Sequence, residues 1–154
     1  MRGVAVIVKP QQKHAGTAMH RSLLLFCAAA CLAAVPLAIA QPAKPALYTA
    51  DQATAGAAVY AQNCAACHGT QMEGVSAPAL KGAALGDMAV AQGLTAQSLL
   101  DVVVNTMPQS DPGSLKPEEY AAVTAYILQQ NGYPAGSTAL VSGAAGLKDA
   151  KITP

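Results

Sequence analysis

The chain has 154 residues, no Trp and a single Phe, Phe26, a length that allows one modest domain. Its formal charge of +1 hides a split: Arg2, Lys9, Lys13 and Arg21 precede residue 41, after which five lysines face eight acids, a net −3 with no arginine. Phosphate recognition needs Lys and Arg, so this balance argues against nucleic acid as a partner and fits an acidic soluble protein.

Residues Leu23 to Ile39 form a Leu- and Ala-rich apolar run, preceded by Arg21 and closed by Ala38-Ile39-Ala40. A basic start, a short apolar centre and a small-x-small end make up a secretory signal peptide, so residues 1–40 are expected to be a leader cleaved after Ala40. Pro36 breaks the helix shortly before that point. The stretch before Met19 is unusually long for such a start, and Met19-His20-Arg21-Ser22 opens directly onto the run, which makes Met19 a candidate initiator. The rival reading keeps the run as a membrane anchor, although it is just short of the ~18 apolar residues a span needs. Lipidation of Cys27 or Cys31 is disfavoured because the run continues well past both. Cleavage leaves 114 residues, expected in the periplasm and without a membrane span.

After a lead-in containing Pro42 and Pro45, Thr49 with Gln52 makes a capping-box start. The alanine-rich stretch Ala50 to Asn63 has high helix propensity. Gly56 and Tyr60 lie one turn apart on it, a small residue beside a large one, which suits close helix crossing.

That helix runs into Cys64-Ala65-Ala66-Cys67-His68, which holds the remaining cysteines and the remaining histidine after the leader. C-x-x-C-H is the haem-attachment signature. Two thiols three residues apart on a helical turn can each bond one edge of a porphyrin, and the next imidazole becomes the fifth iron ligand. A structural zinc site wants four ligands where three are present. A thioredoxin-like pair wants strand–helix–strand context, and a plain disulfide gives His68 no role.

From Gly69 to Gly93, Gly, Pro and Ala are scattered without periodicity, which reads as loop; Ala77-Pro78-Ala79-Leu80 is a segment that can lie against a haem edge. Thr95 caps a second helix, Ala96 to about Thr106, with Leu99, Leu100, Val103 and Val104 along one face. Pro108 ends it near Met107. The turn-rich Gln109–Gly113 follows. Pro117 then suits a first helical position, with Glu118 and Glu119 favouring the helix dipole. Tyr120, Val123, Thr124, Ile127 and Leu128 continue an amphipathic helix that Asn131-Gly132 stops. Residues 134–154 read as an extended tail. The expected fold is all-α: three or more short helices and long loops in residues 41–133, around one covalent haem c. The macrocycle makes up for a thin core.

For the sixth iron ligand the candidates are Met72, Met88 and Met107, or none. Met72 lies only four residues past His68; Met88 stays open. Met107 sits where a helix stops before a proline, at ample chain length for crossing to the other haem face. His/Met ligation raises the potential and leaves no open site for oxygen, which points to electron transfer.

With Cys64-Ala65-Ala66-Cys67-His68-Gly69, Met107-Pro108 and Tyr120 to Gly132 in place, residues 47–133 resemble a class I c-type cytochrome. The resemblance implies that the first helix, with Gly56 and Tyr60, crosses the last one near Tyr126. It also implies that the Pro78 carbonyl receives the second N–H of the axial histidine, fixing the imidazole. More narrowly, Met107 to Leu115, Glu119-Tyr120 and Ala125 to Leu128 are similar to cytochromes associated with periplasmic quinoprotein dehydrogenases. Lys116 departs from the Ser or Thr common before the last helix, and the lack of Arg and Trp leaves the haem propionates without assigned partners.

The expected function is therefore one-electron transfer from a dehydrogenase, in that resemblance a quinoprotein, to an oxidase or another cytochrome, with no catalytic site of its own. The exposed haem edge is the expected transfer site, and the acidic charge is expected to orient docking and make rates depend on ionic strength. The alternatives are a gas-binding or sensing haem protein with an open sixth site, and a haem-free thiol–disulfide enzyme.

Overall fold

The computed structural model describes residues 43–154; the expected leader and its candidate initiator Met19 lie outside the described residues. Five helices follow in order, α1 (Ala50–Asn63), α2 (Ala65–His68), α3 (Gly82–Gln92), α4 (Ala96–Thr106) and α5 (Pro117–Gln130). The described part is all-α, and its β-pairing amounts to two isolated bridges, Thr49 with Gly136 and Thr95 with Lys151. No described helix is long and apolar enough to cross a membrane.

The helix boundaries follow local chemistry. Thr49 and Gln52 form the capping box of α1, and Thr95 with Ser98 forms that of α4. At α5 the Glu119 carboxylate accepts the Lys116 N–H at 2.8 Å, so the first turn is closed without a Ser or Thr cap. The α1–α5 crossing is the main helix contact. A Cβ on Gly56 would collide with the Ala122 carbonyl and crowd Tyr126, so only glycine admits this approach. Tyr60 and Tyr126 then meet with ring centroids 5.6 Å apart, a tilted aromatic pair.

Two expectations are corrected. The stretch 69–93 is not all loop, because α3 occupies eleven residues of it. Its first N–H, on Gly82, is received by Asn131 Oδ1 at 3.0 Å, and Gly93 closes it in the left-handed conformation. Gly86 lies against Pro154, where a Cβ would clash.

The tail is the second correction. Residues 134–154 hold no helix, yet they are not an extended appendage: Leu140, Leu147, Ala150 and Ile152 are buried in the main core. The Ala150 and Leu147 carbonyls accept the N–H groups of Ala96 and Gln97 at 2.8 and 3.1 Å, filling free donors at the start of α4. Gln52 bonds both backbone groups of Leu140, at 2.7 and 2.8 Å. Apolar burial and satisfied donors hold the tail down, and neither leaves a periodic trace in the sequence.

Candidate haem site

Cys64 ends α1 and begins α2, a four-residue turn that carries Cys67 and His68. Both thiols are free; Cys64 is half-buried and Cys67 exposed. Burial, with the Cys67 thiol adding, pushes the Cys64 thiol pKa up. His68 is buried. The loop after the motif doubles back over it: the Cys67 carbonyl accepts the N–H groups of Val75, Ser76 and Ala77, each at 3.1 Å, and the His68 carbonyl that of Gly74 at 2.8 Å. This fold-back delivers Pro78, whose carbonyl lies 2.8 Å from His68 Nδ1. With Nδ1 donating there, Nε2 is the nitrogen available to a metal. Tyr60 Oη donates to the Gly69 carbonyl at 2.7 Å, tying the end of the motif to α1.

Met107 is the C-terminal cap residue of α4, in extended conformation. Tyr120 determines its setting: the phenol donates to the Met107 carbonyl at 2.9 Å and accepts the N–H groups of Gly113 and Leu115 at 2.9 and 3.4 Å. Sequence reasoning placed Tyr120 on an apolar helix face and missed this role. The available signal was the phenol itself, since a buried tyrosine hydroxyl must find partners.

Cys64, Cys67, His68, Pro78 and Met107 all line one cavity of about 510 Å³. Leu80, Val103, Val123 and Ile127 supply apolar wall, while Asn63, Ser76, Gln109 and Ser110 supply uncharged polar groups. Of the methionines after the leader, Met107 is the one in the lining. Met72 is 1% exposed in the core, with a left-handed backbone, and Met88 packs partly buried against that core. No group of three or more His, Cys, Asp and Glu residues among those described is placed to hold a bare metal ion.

A flat apolar macrocycle fits this donor set. Two thiols stand at one edge, an imidazole has one nitrogen committed and the other free, a thioether shares the lining, and the walls are aliphatic. Fold and cavity together define a c-type cytochrome domain. The chain belongs to the family described as cytochrome C oxidase, cbb3-type, subunit III, whose model matches residues 51–127, half of its length. That family implies a haem cofactor and electron transfer, as the motif does.

Comparison with curated proteins gives no match. Among solved structures, the chain is similar to one in the crystal structure of the sulfane dehydrogenase SoxCD from Paracoccus pantotrophus. Identity is 25%, over 66% of this chain and 62% of that one, with a TM-score of 0.45. The chain thus spans less than two thirds of that neighbour's length.

Proposed function

We propose that this protein is a periplasmic one-electron carrier with a single covalent haem c, passing electrons from a dehydrogenase toward a terminal oxidase or another cytochrome. The observation that carries the reading is the convergence of Cys64, Cys67, His68 and Met107 on one apolar cavity, with His68 Nδ1 at the Pro78 carbonyl. When bound, the haem supplies a one-electron iron couple. Cys64 and Cys67 would hold it through thioether bonds, and His68, its ring held by the Pro78 carbonyl, would offer Nε2 to the iron. Met107 would offer its thioether sulfur to the iron, a donor that favours the ferrous state and raises the potential. Leu80, Val103, Val123 and Ile127 would keep water from the bound group, and with His68 and Met107 both engaged there would be no open position for a gas. The dehydrogenase partner, a quinoprotein by the narrower resemblance, rests on the run from Met107 to Leu128. Export rests on the apolar run before Gln41.

The test is to express the full chain in a host that matures c-type cytochromes and record oxidised and reduced spectra. Sharp reduced α and β bands, with the weak red-end band that methionine sulfur gives ferric haem, are expected. Met107→Ala should abolish the weak band and keep the haem. Should the native protein lack that band and bind carbon monoxide when reduced, the gas-sensing alternative replaces the carrier. Mature protein beginning at Gln41 in the periplasmic fraction is the expected result for export.

A further inference from the structure

A second cavity, of about 690 Å³, opens between α4, the start of α5 and the tail, and it shares no lining residue with the haem cavity. Leu100, Ala121 and Leu140 line it from the core, all three buried. Val104 and Leu115 form half-buried sides, and Val141 at its edge is 54% exposed. The tail side of this cavity is clamped at both ends. Gln52 of α1 holds both backbone groups of Leu140, while Gln97 of α4 accepts the Gly143 N–H at 2.8 Å and donates to Ser142 Oγ at 3.2 Å. Val141 and Ser142, between the clamps, are therefore a fixed rim of the folded core.

Two carboxylates stand over the apolar walls, Asp101 from α4 and Glu118 from the first turn of α5. The buried Gln97 amide that pins the tail also donates to Asp101 Oδ1 at 2.8 Å, which orients this carboxylate and leaves its second oxygen for another donor. No lysine is in the lining; Lys116, the nearest in sequence, lies outside it. Two carboxylates are too few for a bare metal ion, which wants six or more oxygens or a closed set of side chains. They also repel an anion, and a neutral molecule gives them nothing to accept. A cation on an apolar stem answers both parts of the lining: the stem covers Leu100, Leu140 and Val141, and the charged head donates to the acids.

We propose that this cavity is a binding site for a small organic ammonium ion, with Asp101 and Glu118 receiving the charge and the α4–tail cleft taking the apolar stem. Its volume falls within the roughly 300–1,000 Å³ that small molecules fill. Its floor reaches Leu100 and Leu140, which are 2% and 0% exposed, so an occupant is enclosed and not merely laid across a surface. The site goes beyond electron transfer and does not depend on it.

The test titrates hexylammonium into the reduced, haem-loaded protein and follows backbone amide shifts, with hexanol and hexanoate as the neutral and anionic compounds of the same stem. Hexylammonium is expected to move the amides of Asp101, Val104, Leu115 and Val141 along one saturating curve. Those of Ser76 and Gln109, at the haem cavity, should stay in place. An exposed ion pair is worth up to about fivefold in affinity. Two of them should make hexylammonium bind roughly tenfold more tightly than hexanol, with hexanoate weakest of the three. The advantage over hexanol should shrink as ionic strength rises to ~0.15 M.

Asp101→Asn keeps an acceptor for Gln97, and Glu118 is exposed, so the double variant with Glu118→Gln should fold and take up haem as the native protein does. It is expected to bind hexylammonium no better than hexanol, and hexanol as before. In the native protein, equal affinity for hexylammonium and hexanoate, or no saturable shift at the four amides, overturns the site. So does a hexylammonium curve that the double variant leaves unchanged. The tripeptide acetyl-Leu-Lys-Leu-amide tests the other source of an ammonium group. Binding more than about tenfold tighter than hexylammonium would give the cavity to a lysine of a partner protein and overturn the free ligand. A protein that takes up no haem yet binds hexylammonium here defeats the carrier reading and leaves this site standing.

Discussion

Tyr120 places one phenol oxygen between three backbone groups, and all three belong to the segment that begins at Met107. Losing that oxygen leaves a carbonyl and two N–H groups to find other partners, at a cost of about 1–3 kcal/mol when they are shielded from water. Tyr120→Phe is therefore expected to lower stability by that amount in urea unfolding and to weaken the methionine band of the ferric protein, with haem attachment unchanged. An unchanged band would mean that the loop keeps its course without the phenol. Tyr60 makes a different statement, about pH. Burial, with the Cys64, Glu73 and Tyr126 side chains adding, pushes its pKa up to about 12, against about 10 for a free tyrosine. Between those values the unfolded chain gives up a proton that the folded protein keeps, so stability falls as pH rises through this window and is unaffected by Tyr60 below it. Urea midpoints measured from neutral to strongly alkaline pH should show the fall, and Tyr60→Phe should reduce its slope. The buried Tyr48, also shifted upward, keeps the slope from vanishing.

At the scale of elements, what could be read from sequence was whatever is written within a few residues. Thr49 with Gln52, Thr95 before α4, Pro117 opening α5 and Pro108 closing α4 are local signals, and each falls where the structure has the boundary. The His68–Pro78 contact was expected from the resemblance, ten residues apart in the chain. Helix α3 was not legible, because Gly82, Gly86 and its alanines give no apolar stripe and its first donor is satisfied by Asn131, far along the chain. Nor was the packing of the tail, where Leu140, Leu147 and Ile152 are too widely spaced for any period to show. The tail carries the clearest prediction at this scale. Ending the chain at Pro134 removes those three buried side chains and the carbonyls that serve the start of α4. At about 1.5–3 kcal/mol for each side chain, an upper estimate, the loss is on the order of 5 kcal/mol. The truncated protein is expected to melt at a clearly lower temperature, and an equal melting temperature would show that the tail adds nothing to the core.

For the whole molecule, the cavity of about 510 Å³ lies among residues of α4, α5 and the motif loop, so its walls Val103, Val123 and Ile127 depend on what fills it. A domain this small has little apolar surface to spare, and a group bound only by the folded state raises stability by its binding free energy. The Cys64→Ser/Cys67→Ser protein, produced in the same host, is thus expected to keep helical signal but to lose a sharp thermal transition by circular dichroism. A transition as steep and as high as that of the haem-loaded protein would mean that the α1–α5 crossing and the tail suffice alone.

The clasp between the two ends of the described chain has a consequence of another kind. Lys44 Nζ donates to the Thr153 carbonyl at 3.1 Å and to that of Asn131 at 2.9 Å, with its charge over the Tyr133 ring. The Gly136 N–H meets the Tyr48 carbonyl at 2.7 Å. The two ends of the described residues are therefore neighbours. A domain built this way can be spliced into a host polypeptide through a single narrow neck, because the two ends are within reach of one extended lysine side chain.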